Sequence, residues 1–128
     1  MSIERIVWLD GTSSELKAVQ IVTEEGLFLV LGYAYHGELL DQFLGQKRIP
    51  YRKVRLVGDC PDNPQVHARL ENAPDDPYYS VSGMGQAKRE GQNLILSGKS
   101  IGYRGKEIDP EHIINLNKNL TDMQVRVK

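Results

Sequence analysis

Apolar and polar side chains alternate with a period of two along most of this chain, the signature of strands whose two faces meet different surroundings. Residues 3–9, with Ile3, Ile6, Val7, Trp8 and Leu9, read as a first strand, and Asp10-Gly11 with Thr12, Ser13 and Ser14 as the turn after it. Further on, Leu16, Ala18, Gln20 and Val22 alternate with Lys17, Val19, Ile21 and Thr23, so one face is mixed and the other mostly apolar. Glu24-Glu25-Gly26 supplies a short turn into residues 27–31, whose unbroken apolarity predicts a central strand covered on both faces. The first 35 residues therefore read as a meander.

The period changes after Gly37. Leu39 with Phe43 and Leu40 with Leu44 are spaced i,i+4, and Glu38 stands in the first turn, where the helix dipole favours an anion. This predicts a helix of about two turns stopping at Gly45 and too short to stand without packing Leu40, Phe43 and Leu44 onto the sheet. Residues 54–57 return to strand, 58–64 form a loop dense in turn formers, and 65–71 alternate with Val66, Ala68 and Leu70 inward. Pro74 and Pro77 exclude a central strand from 72–77. Two further strands are predicted at 78–84 and 93–97, separated by the polar segment 85–92. Frequent glycine from there to Gly105 suggests tight turns or bulges in strands that curve. Asp109 reads as an N-cap with Pro110 at the first helical position, opening a short helix through Ile113, Ile114 and Leu116. Met123, Val125 and Val127 close the chain as a strand. Together these elements predict an α+β, mainly β fold: a curved antiparallel sheet or partial barrel with one or two short helices.

Composition narrows the class. The 128 residues, 40% of them hydrophobic, are enough for one core, so a single domain over 1–128 is expected, with no metal or disulfide needed to hold it. Cys60 is the only cysteine, which excludes an internal disulfide. No apolar run approaches the roughly 20 residues of a membrane helix, and residues 1–5 do not open like a leader. A soluble cytoplasmic protein with no membrane role is the expectation.

A formal net charge of −1 conceals bands of alternating sign. Residues 1–45 hold two basic and seven acidic groups, 46–58 hold five basic and none acidic, 59–77 hold one and five, and 78–128 hold eight and five. Such a chain is not a uniformly basic nucleic-acid binder, but it has room for one local basic patch.

Familiar catalytic and cofactor motifs fail on inspection. Ser97-Gly98-Lys99-Ser100 ends like a phosphate-binding loop, yet Asn93 stands where the first glycine belongs, and no helix is predicted to follow. Gly83-Met84-Gly85 lacks the third glycine of a dinucleotide fingerprint. His36, His67 and His112 are far apart in the chain, and Cys60 has no CxxC partner, so neither a metal site nor a cofactor is expected. Asp59, Cys60 and Asp62 read as a loop whose aspartates cap backbone amides, and the acidic neighbours of Cys60 oppose a reactive thiolate. His36 beside Glu38 and Asp41 could be a general base oriented by a carboxylate, though more often such a histidine simply sits at a helix start.

Two features remain as candidate binding residues. Lys47, Arg48, Tyr51, Arg52, Lys53 and Arg55 form a cationic run with an aromatic inside it. Such a run holds phosphates while the ring stacks on a base, or it pairs with the acidic bands on either side, within the fold or across an interface. Tyr33 and Tyr35 fall on one face of a predicted strand, where a tyrosine pair makes a favoured protein contact or a half-buried rim of the core. The expected function is non-catalytic binding of a protein partner or a second copy of the chain. The alternatives are nucleic-acid binding by residues 47–55 and a small enzyme with a His/carboxylate site.

Overall fold

In the computed structural model, which describes residues 4–9, 15–56, 69–100, 103, 106–120 and 123–128, the apolar run 27–31 does lie inside a sheet with a neighbour on each side. For 55–56 and 69–71 only the backbone is described. The strands in chain order are β1 (Ile6–Trp8), β2 (Glu15–Thr23), β3 (Gly26–Gly32), β4 (Lys53–Leu56), β5 (Arg69–Asn72), β6 (Asp75–Asp76), β7 (Tyr79–Glu90), β8 (Asn93–Ser97), β9 (Lys99–Ser100), β10 (Lys106–Glu107) and β11 (Gln124–Val127). Helix α1 (His36–Lys47) follows β3, and α2 (Pro110–Asn117) precedes β11.

The main sheet runs β1-β3-β2-β7-β8-β11, and β6 lies beside the first residues of β7. Its central pairings are antiparallel, but β1 lies parallel to β3 and β11 parallel to β8. The meander expected over the first 35 residues is thus corrected: β2 and β3 form a hairpin, while β1 skips to the far edge of β3. Alternation along a strand does not encode its direction or its neighbour. A strand apolar on both faces needs a layer over each, and β3 has both: Phe28 and Val30 pack in the cluster with α1, Leu29 and Leu31 in the cluster with α2.

The sheet curls into a half-barrel. In a flat sheet β1 and β7, three strand spacings apart, would be separated by about 14 Å, yet the Arg89 guanidinium sits 5.3 Å from the Trp8 ring centroid. One cluster also gathers Ile6 of β1 with Val125 of β11, the two outermost strands. That cluster is closed by Ile113 and Leu116 of α2. On the other face Val19, Ile21, Phe28, Val30, Val81 and Met84 meet Leu39, Leu40, Phe43 and Leu44 of α1, which confirms the packing read from the i,i+4 spacing.

Two expectations about element ends are overturned. The helix does not stop at Gly45 but passes through it to Lys47, and Arg48 takes the left-handed cap conformation at φ 56°. Its N–H donates to Gly45 O and that of Ile49 to Leu44 O, a Schellman closure in which Ile49 packs back on the core. The segment 85–92 does not separate two strands; β7 runs unbroken to Glu90, and only Gly91 and Gln92 turn. Backbone pairing with β2 and β8 needs no apolar side chain, and Gln86, Lys88 and Glu90 simply face water beyond the reach of α1. Within β7 the register against β2 slips by one at Ser82, between the pairs Gln20–Gly83 and Ile21–Val81. This bulge turns Tyr79, Val81 and Met84 toward α1, and Gly83, Gly85 and Ala87 toward α2.

Helix α2 begins as its sequence predicts, with Asp109 Oδ1 accepting from Glu111 N at 3.1 Å. Its last residue does something sequence does not announce. Asn117 Oδ1 accepts from Val125 N at 2.9 Å and Asn117 Nδ2 donates to Val125 O at 2.8 Å, so one side-chain amide occupies the outer edge of β11 as a further strand would. Asn117→Ala should lower stability by about 1–2 kcal/mol and open that edge to pairing. Urea titration and sedimentation at rising concentration check both. A variant as stable and as monodisperse as the parent would contradict the role given to Asn117.

Candidate functional site

Two of the five cations in the run, Arg52 and Lys53, are answered by carboxylates of the fold. Arg52 donates its backbone N–H and Nε to Asp76 Oδ2 at 3.1 and 3.4 Å and its terminal nitrogen to Asp75 O at 3.0 Å. The Asp76 side chain is only 2% exposed, so this pair closes the β6–β7 turn against the start of β4. Lys53 Nζ lies 3.8 Å from Asp41 Oδ2, and the Tyr51 hydroxyl donates to Asp41 Oδ1. Asp41 as acceptor, with some burial, holds the Tyr51 phenol above its usual pKa. The Arg55 side chain lies outside the described residues.

Lys47 and Arg48 point elsewhere. They leave the last turn of α1, where cations suit the negative end of the helix dipole. Lys47 Nζ sits 4.8 Å from the centroid of the buried Phe28 ring, and Arg48 is exposed.

Tyr33 and Tyr35 do not share a strand face, which corrects the earlier expectation: β3 ends at Gly32, and both tyrosines lie in the connection to α1. They are nonetheless 50% and 47% exposed, and Lys17 Nζ stands 4.5 Å above the Tyr35 ring. Lys17 belongs to the part of the sheet that neither helix covers. By strand alternation that surface carries Glu15 and Lys17 of β2, Gln86 and Lys88 of β7, Ile95 and Ser97 of β8, and Arg126 of β11. A groove of about 330 Å³ runs across it between Lys17, Tyr33, Gln86, Lys88 and Ser97. Lys47 and Arg48 thus lie at the opposite end of α1 from Tyr33 and Tyr35, roughly 18 Å away for 12 residues at 1.5 Å each, while Tyr51 and Lys53 reach Asp41 at its middle.

The described histidines act as ties between elements. His36 is buried at the start of α1 and its Nε2 donates to Gly85 O at 2.8 Å. His112 in α2 donates from Nε2 to Ile21 O at 3.3 Å, while its Nδ1 faces Gln20 Nε2 at 3.5 Å. His67, Cys60, Asp59 and Asp62 lie outside the described residues, and among those described no group of three or more His, Cys, Asp or Glu is placed to hold a metal. No described helix is long and apolar enough to cross a membrane.

Burial lowers the pKa of His112 below its ordinary 6.5, with the Ile21 carbonyl and Asp109 pulling the other way. The unfolded chain therefore takes up this proton first. Stability should fall as pH drops below about 6.5, levelling once the folded imidazole is also protonated. Urea midpoints between pH 7.5 and 5 check this, with His112→Asn showing a shallower fall; equal slopes in both proteins would deny His112 the effect.

Sequence reading missed Lys17, Gln86 and Lys88 as neighbours of the tyrosines. The signal was faint, since polar residues on a mixed strand face look alike whether or not a helix covers them. Compared with known proteins, the chain matches no family model, and no curated protein matches its sequence.

Proposed function

We propose that this chain is a non-catalytic protein-binding domain whose contact surface is the uncovered half of the sheet with Tyr33 and Tyr35 at its margin. One observation carries the reading: half-exposed Tyr33 lines an open groove rimmed by Glu15, Lys17 and Lys88, and Lys17 stands in turn over the half-exposed Tyr35 ring. Tyrosine offers a large ring and a hydroxyl with few torsions to freeze, which favours it at protein contacts. The cationic run supports the same choice over nucleic acid, because Arg52 and Lys53 already face carboxylates. Having one cysteine suits a partner met in the reducing cytoplasm.

The test is affinity capture with the parent protein and with a Tyr33→Ser/Tyr35→Ser variant, followed by titration of the purified captured protein. The double change should weaken binding at least about tenfold without altering the melting temperature, since both side chains are half exposed. Unchanged affinity would move the contact elsewhere. Submicromolar binding of an oligonucleotide at about 150 mM salt, falling steeply as salt rises, would replace the reading with nucleic-acid binding.

A further inference from the structure

A second concavity lies at the other end of α1. It is an open cleft of about 650 Å³ between the β2–β3 turn, the chain leaving α1 and the turn that enters β7. Its walls differ in sign: Glu24 and Glu25 stand on one side, Lys47 and Arg48 on another, and the 58% exposed Tyr78 closes the third. Asp76 also reaches the cleft, but Arg52 already answers its charge. Among the described residues the Arg48 guanidinium has no ion pair or hydrogen bond.

The local sequence works against the backbone here. Arg48 is the one described non-glycine residue with positive φ, in the cap position where glycine or asparagine is the easy choice. Gly45, three residues earlier, sits exposed in the helix with open space where a Cβ would go. Exchanging these preferences would favour the helix, so the arginine stands at its cap against the local rule, and such conflicts concentrate at functional positions.

We infer that this cleft binds a peptide segment of a protein partner that carries an acidic residue toward Arg48 and Lys47, a basic residue toward Glu24 and Glu25, and a ring or proline against Tyr78. Charge complementarity decides among ligand classes. A phosphate backbone would meet Glu24, Glu25 and the carbonyl end of α1, and a metal cation would meet Lys47 and Arg48; only a ligand of both signs satisfies both walls. The inference rests on the protein-binding reading but uses a different surface, so different variants test it.

The probe is an array of short capped peptides with one acidic and one basic residue at every spacing around a central tyrosine or proline, beside all-acidic, all-basic and uncharged controls. The best mixed peptide, measured by fluorescence anisotropy, should bind at least about tenfold tighter than any control. Arg48→Gly should weaken it by about tenfold while the melting temperature holds or rises, because glycine relaxes the cap, so lost binding could not be lost folding. Glu24→Gln/Glu25→Gln should weaken it similarly, and Tyr33→Ser/Tyr35→Ser should leave it unchanged. Equal binding by a single-sign control, affinity indifferent to Arg48→Gly, or no binding by any peptide at millimolar concentration would each overturn the inference.

Discussion

Phe43→Ala should cost about 3–5 kcal/mol, enough to remove a large part of the stability of a domain this size. The side chain is wholly buried, and its ring centroid lies 5.1 Å from that of Phe28 at a 56° tilt, a geometry worth about 1 kcal/mol beyond burial. Helix α1 has 12 residues, one of them Gly45, and is too short to persist in water on its own propensity. Its place is held by Leu39, Leu40, Phe43 and Leu44 against β2, β3 and β7, and Phe43 is the largest of the four. Emptying that position leaves a cavity under the helix and removes the ring that faces Phe28. Phe28 itself lies within 5.0 Å of the Arg5 guanidinium and 4.8 Å of Lys47 Nζ, so the disturbance should reach the wall of the charged cleft. Urea titration gives the value. A loss below about 1 kcal/mol with an unchanged slope would mean that α1 does not pack through this residue.

What the sequence disclosed follows from which forces act locally. The β2–β3 hairpin, the apolar face of α1 and the Asp109-Pro110 start of α2 were legible because a period, a turn residue or a cap depends on neighbours within a few positions. The partner of β1 was not, because Ile6, Val7 and Trp8 would alternate the same way beside β2 as beside β3. The length of β7 was hidden for a related reason: Gln86, Lys88 and Glu90 are polar because no helix lies over them, not because the strand has ended. The cationic run shows a different limit. Its acidic surroundings in sequence hinted at internal pairing, and Arg52 with Asp76 and Lys53 with Asp41 supply it, but nothing local distinguished those two cations from Lys47 and Arg48. Only the fold places Arg48 beside Glu24, Glu25 and Tyr78, which are distant in the chain, and brings Lys17 over Tyr35.

The glycines from the segment 85–92 to Gly105 read as a sign of curvature, and Gly83, just before them, has a sharper role that leads to the second large effect. Gly83→Ala should cost about 3–5 kcal/mol, combining overpacking with broken buried hydrogen bonds. A Cβ there would lie 2.0 Å from Gln20 Oε1, 2.7 Å from Asp109 N and 2.7 Å from Glu107 O. Gln20 could turn aside, but the other two are backbone and cannot. Nor is Gln20 free to leave: Oε1 accepts from Asp109 N at 2.7 Å, Nε2 donates to Asp109 O at 3.0 Å, and the same amide faces His112. Moving it strands polar groups buried between β2 and the start of α2. Gly45→Ala is the matched control, since its Cβ meets nothing within 4 Å and alanine should stabilise the helix by up to about 1 kcal/mol. The same chemical change is thus expected to act with opposite signs at two glycines. Urea midpoints for both variants, together with Gln20→Ala/Gly83→Ala, decide it: the double variant should be less damaged than the two single losses added together, because removing the amide vacates part of the space the methyl needs. A Gly83→Ala protein within about 1 kcal/mol of the parent, or a strictly additive double variant, would show that α2 does not rest on this contact between Gln20, Gly83 and Asp109.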